Sequence, residues 1–284
     1  EMQRSLVGSE MCIRDRYLSI DADLQKATYL ALQNEIAAIV YSNIKSGEIP
    51  INDVYTALIG NSVINTEHFS KSKASDTEKS VLSVFKSRQK TTLGKIKQEL
   101  TSSPEALNTM SDEVLDEFTY IISMLKDDQV LLKNEIDTSD SVYQKWKDQK
   151  ISPKEYLNYC ITQHWIDISQ LNVDEKYADS TEVYDALCKY ILKNIKTDTE
   201  FSKIIYQYMI TRGEISPRQL CLILFDQGVL DYDDATVNKL KNGSLSPRDF
   251  LMKKIYNIEI TPAQLALEPV SYTHLRAHET TLHL

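Results

Sequence analysis

A chain of 284 residues, 42% hydrophobic and 26% charged, holds enough apolar material for one large core or two smaller ones. Its formal net charge of −9, without a basic stripe, argues against nucleic acid or an anionic membrane as partner. Glycine is scarce, seven in all against a usual share of about 7%, which disfavours glycine-rich phosphate loops and favours helices joined by short capped turns.

Both ends stand apart from the body. Residues 2–16, MQRSLVGSEMCIRDR, and 270–284, beginning VSYTHLRAHET, look like translated sequencing-adapter sequence, and such segments are left out of fold reasoning. Together with Glu1 they carry four charges of each sign, so the acidic balance of the body is unchanged, and the natural termini are not legible.

In chain order, Leu18 and Ile20 alternate with Ser19 and Asp21, a short strand pattern, and Asp21 is placed to cap a helix running from Asp23 to Lys45. Tyr29, Leu32, Ile36, Ile39 and Val40 follow the spacing of one buried face, and Gly47 stands where a left-handed terminating residue is wanted. Asn52 opens a second helix through Val54, Leu58 and Ile59, and the polar stretch Ser70–Lys79 reads as loop or helix start. Val81, Leu82 and Phe85, then Leu93, Ile96 and Leu100, predict two short helices, and Ser103-Pro104-Glu105 begins another turn. Ser111 caps the clearest helix, with Val114, Phe118, Ile121, Ile122 and Leu125 along one side. Helices follow near Val142–Trp146, Pro153–Trp165, Thr181–Leu192, Glu200–Ile210 and Pro217–Leu224.

One local device recurs, at Ser152-Pro153, Ser216-Pro217, Ser246-Pro247 and Thr261-Pro262. A hydroxyl caps, proline occupies the first helical position, and an apolar residue precedes the cap as a staple. The starts have no constant period, so a solenoid is not expected and the recurrence reads as ordinary helix-start chemistry.

The order S-I-D-A-D-L-Q followed by a long amphipathic helix resembles the start of the transpeptidase domain of class B penicillin-binding proteins of clostridial type. Ile260–Pro269, ITPAQLALEP, is similar to the lead-in before the first central strand of that domain. The resemblance implies a mainly α chain. It comprises a strand and helix over 17–46 from an α/β transpeptidase domain that is otherwise missing, an irregular helical module inserted over 47–259, and a lead-in over 260–269. It also implies a parent enzyme cross-linking peptidoglycan through a serine acyl-enzyme. That parent would act on D-Ala-D-Ala stem peptides, bind β-lactams, use no metal or cofactor, and be anchored in the cell membrane facing the wall. A division or elongation protein is the partner this family suggests for the insertion.

Three fragments of the family's motifs occur, and their order and context reject them. S-x-x-K appears at Ser70-Lys73, Ser83-Lys86, Ser87-Lys90 and Ser123-Lys126; Tyr156-Leu157-Asn158 imitates the middle motif; Lys45-Ser46-Gly47 spells the third but precedes every one of these serine candidates. No catalytic, cofactor-binding or metal residue is therefore assigned, and the reactive serine is expected beyond Pro269.

Other chemistry is equally thin. Asp231, Asp233 and Asp234 begin like a calcium loop, but Thr236 and Asn242 stand where glycine and glutamate are required. His274 and His278 have helical metal-ligand spacing inside the adapter-like end, and His68 and His164 are isolated. Cys160, Cys188 and Cys221 are spaced as buried thiols, and Trp146 and Trp165 with Tyr143, Tyr156 and Tyr159 read as packed core. The alternative to the enzyme fragment is a non-enzymatic, all-helical interaction module.

Overall fold

The computed structural model describes residues 22–102, 105–174 and 178–267. Among these the chain is mainly α, with eleven α-helices, four short 3₁₀ turns and no strand beyond one isolated antiparallel bridge, Leu131 with Ile166. The strand expected over Leu18–Ile20, the Asp21 cap, the turn at Ser103-Pro104 and both adapter-like ends lie outside the described residues.

The described residues divide into two compact units, one formed by 22–49 together with 252–267, the other by 50–251. In the first, α1 (Ala22–Ser46) ends at Gly47 with φ +86°, as its position predicts. Its expected buried face is largely absent. Ala37, Val40 and Ile44 are buried, but Leu24, Tyr29 and Leu32 are 66%, 58% and 58% exposed, and Leu30 and Ile39 are also exposed. The periodicity is genuine, but among the described residues the apolar side chains of the N-terminal half stay exposed. The Tyr41 ring meets Tyr256 edge-on at 5.2 Å, and Ile255, Ile260 and Leu265 are buried.

In the second unit, α2 (Ile51–Gly60) precedes α3 (Asp76–Thr101), α4 (Asp112–Asp127), α5 (Ser141–Lys147) and α6 (Pro153–Thr162). Then come α7 (Ser180–Ile195), α8 (Thr199–Thr211), α9 (Pro217–Asp226), α10 (Asp234–Lys241) and α11 (Pro247–Tyr256), the last carrying the boundary between units. Where two short helices are predicted, α3 is continuous for 26 residues. Gly94 costs only about 1 kcal/mol in a helix interior. Burial of Val81, Phe85, Thr92, Ile96 and Leu100 along one stripe, against α6, α7, α8 and α9, outweighs it. The Phe85 ring stacks on Tyr206 of α8 at 4.1 Å, with Phe69 meeting that tyrosine edge-on.

The proline-capped starts are part of a longer recurring unit. In α2, α6, α9 and α11, a ten-residue helix is preceded, four positions before its first residue, by a left-handed residue: Gly47, Gln149, Gly213 and Gly243. Two residues past each helix another left-handed residue follows, namely Ser62, His164, Gly228 and Ile258. Two residues after that an apolar side chain returns to the core: Ile64, Ile166, Leu230 and Ile260. The backbone N–H of Ile64, Leu230 and Ile260 bonds the carbonyl six residues back, at Leu58, Leu224 and Lys254, satisfying helix-end acceptors that would otherwise be orphaned.

The recurrence thus extends to both helix ends, although its copies are unevenly spaced. Ser152 and Ser216 cap as expected, each accepting a backbone N–H, from Glu155 at 3.1 Å and Gln219 at 3.3 Å. Thr261 makes the same contacts with Gln264, but a run of turns follows instead of an α-helix. The helix expected to reach Trp165 stops at Thr162, because His164 adopts φ +58°.

Leu58 is fully buried on α2, whose main partner is α8. Leu58→Ala is expected to destabilise the 50–251 unit by about 2–5 kcal/mol, while Val84→Ala at an exposed site stays within about 0.5 kcal/mol of wild type. Urea unfolding followed by circular dichroism distinguishes the two, and equal midpoints would contradict the assigned core.

Candidate functional site

The motif fragments fall apart in three dimensions. Ser83 and Ser87 lie on the exposed side of α3, Ser123 is exposed on α4, and the Ser70 hydroxyl donates to the Glu67 carbonyl at 3.0 Å. No hydrogen bond joins any of these serines to its lysine among the described residues. Asn158 donates to the Lys154 carbonyl of its own helix at 2.9 Å, and Ser46 donates to the Asn43 carbonyl at the end of α1. Lys45-Ser46-Gly47 therefore closes a helix and borders no strand among the described residues.

Asp233 is the N-cap of α10, accepting from the Ala235 N–H at 3.1 Å and from the Thr236 hydroxyl at 2.5 Å. Among the described residues no group of three or more His, Cys, Asp or Glu is arranged to hold a metal, and His274 and His278 lie outside them. Cys160, Cys188 and Cys221 are free and buried. Burial pushes the thiols of Cys160 and Cys221 up to about 12, which removes their nucleophilic form at neutral pH. The aromatic region is core: Trp146 stacks on the buried Tyr156 at 4.5 Å, and Tyr159 meets Trp165 edge-on while donating to Asp140 at 2.8 Å.

Buried carboxylates at two places were not legible as such. Glu78, in the first turn of α3, is fully buried and accepts from Ser75 N–H at 2.7 Å and from Gln227 Nε2 at 2.7 Å, and its Oε1 pairs with His68 Nδ1 at 2.7 Å. Burial acts to raise its pKa, but hydrogen bonds from Gln227, Ser75 and His68 outweigh that and hold the carboxyl below its ordinary range. His68, isolated in sequence, is thereby placed at the foot of α3.

The second is a charge cluster where α3, α4 and the end of α8 converge. Arg88 Nη2 donates to both oxygens of Glu113 at 2.7 and 2.8 Å, Arg212 approaches the same carboxylate at 2.5 Å, and Glu214 lies 3.6 Å from Arg88. Glu117, one turn along α4, is buried beside them. Burial, reinforced by the Glu113 charge and only partly offset by Lys95, Arg88 and Arg212, pushes its carboxyl up to about 8. The signal in the sequence was positional: Glu113, Glu117, Ile121 and Leu125 succeed one another every four residues on the buried stripe.

A third feature is a groove of about 500 Å³ between α3 and the end of α7, lined by Lys86, Lys90, Lys97 and Lys196. With this geometry set out, comparison with known proteins adds no family: no family model, curated protein or solved structure matches the chain. No helix among the described residues is long and apolar enough to cross a membrane.

Glu117 binds its proton more tightly folded than unfolded, so between pH 4.5 and about 8 its contribution to stability falls as pH rises. Glu117→Gln should match wild type near pH 4 and exceed it progressively up to pH 8–9 in urea denaturation. Glu113→Gln should instead destabilise at all these pH values, by about 3–5 kcal/mol, because it strips two arginines of their carboxylate. A Glu117→Gln difference that does not vary with pH would contradict the protonated assignment.

Proposed function

We propose that this chain carries the beginning of the transpeptidase domain of a class B penicillin-binding protein, with residues 47–259 a non-catalytic helical module set within it. The supporting observation is that the two stretches bearing the resemblance, α1 and the residues from Ile260, belong to one compact unit although some two hundred residues separate them, while 50–251 form a unit of their own. The uncovered apolar half of α1 fits a helix whose remaining domain would supply its cover.

In this reading the parent enzyme is anchored in the membrane and faces the wall. There a serine beyond Pro269, activated by the lysine of its S-x-x-K, attacks the D-Ala-D-Ala carbonyl of a stem peptide and forms an acyl-enzyme. The residues of this chain scaffold that chemistry and do not perform it.

The test is labelling of the parent protein, carrying this sequence and its continuation, with a fluorescent penicillin. The parent should acquire a covalent label that excess unlabelled penicillin blocks, and residues 17–269 alone should acquire none. A folded parent that does not label, or a continuation made only of further capped helices, favours the all-helical interaction module. Residues 17–269 alone should bind a hydrophobic dye and self-associate through α1, and Leu24→Lys with Leu32→Lys should reduce both; gel filtration showing a monomer before substitution would contradict this.

A further inference from the structure

We infer that the lysine groove between α3 and α7 is a docking site for an extended acidic segment of a partner protein, one bearing aliphatic side chains between its carboxylates. The groove's charged lining is cationic only: Lys86, Lys90 and Lys97 from α3 and Lys196 at the end of α7. None of the four ammonium groups lies within ion-pair distance of a carboxylate among the described residues, although the chain carries a net charge of −9. Lysines are usually dispersed among acids on such a surface. A cleft with one sign of charge concentrates its field and selects oppositely charged ligands.

The floor is apolar and unfilled. Leu93 and Leu192 line it, and between them α3 presents Gly94, where an added Cβ would meet nothing within 4 Å. No close approach of another helix explains a glycine in mid-helix, so the room it leaves is room in the groove. One wall is held by Gln89, whose Nε2 donates to the Lys196 carbonyl at 3.0 Å.

Geometry and charge type select the occupant. Along α3, Lys86 and Lys90 are about 6 Å apart and Lys86 and Lys97 about 16 Å. Alternate residues of an extended peptide repeat every ~6.6 Å, so the outer two of five residues lie about 13 Å apart. Carboxylates on alternate residues thus match Lys86 and Lys90, and the third falls about 3 Å short of Lys97, within reach of its flexible stem, while the intervening aliphatic side chains reach Leu93 and Leu192. The groove holds no arginine, the side chain whose planar fork suits phosphates, and an acidic body repels a long polyanion. Docking is independent of whether the parent is a transpeptidase.

The experiment measures fluorescence anisotropy of a labelled Glu-Leu-Glu-Leu-Glu peptide titrated with the full chain. Saturable binding is expected, weakening at least tenfold between 50 and 300 mM salt, with the Lys-Leu-Lys-Leu-Lys counterpart not bound. Lys86→Glu with Lys90→Glu, and separately Gly94→Leu, whose Cβ meets nothing within 4 Å and whose branch would occupy the floor, should each weaken it at least tenfold while the circular dichroism spectrum stays that of wild type. Absence of saturable binding, or equal binding by both variants, overturns the inference. So does binding of inorganic polyphosphate in place of the peptide, or concentration-dependent self-association that Lys86→Glu abolishes.

Discussion

Burial of one face of α3 is the constraint on which the 50–251 unit depends. A 26-residue helix of average propensity is marginal alone in water, and this one stands because α6, α7, α8 and α9 each take part of its stripe. Its N-terminus is anchored as firmly as its middle. The fully buried Glu78 closes a capping box with Ser75 and, through His68 and Gln227, ties the turn at Thr66–Ser70 and the end of α9 to the same point. A buried carboxylate is tolerable there because the hydrogen bonds it accepts favour its charge, as does the positive end of the helix.

The same helix separates two kinds of charge. Arg88 turns inward to Glu113, where the carboxylate is buried and the guanidinium is mostly covered, so the pair is screened less than one on the surface. Lys86 and Lys90, two residues to either side, emerge on the opposite face beside the groove. One stretch of sequence, K-S-R-Q-K, therefore serves an internal ionic junction and a solvent-facing cationic surface, and helical rotation of about 100° per residue is what divides them. Within the junction, Glu113 takes both arginines and leaves Glu117 with burial and a neighbouring negative charge, which hold its pKa well above the usual carboxylate range.

The repeated ten-residue helices show how a glycine-poor chain makes sharp helix ends. Among the described residues six positions with positive φ are occupied by residues other than glycine, including Ile258, a β-branched side chain for which that conformation is costly. What offsets the cost is burial of the apolar residue two positions later, together with the hydrogen bonds that its N–H and its neighbour's make to the helix end.

From the sequence alone the mainly α class, most helix starts, the buried thiols and the aromatic core around Tyr156 were legible. N-caps and proline positions are local chemistry and need no partner. The helix at Ser111 was read with its face intact for the same reason.

Helix ends without glycine, such as Gln149 and His164, carry no local mark. Whether an apolar stripe is covered is likewise not a property of the stripe: in α3 packing joined two expected helices across Gly94, and in α1 an equally regular stripe stayed exposed. The buried Glu113 and Glu117, and the convergence of Lys196 with lysines a hundred residues earlier, were decided only by tertiary structure, because burial and charge proximity are set by which helices meet.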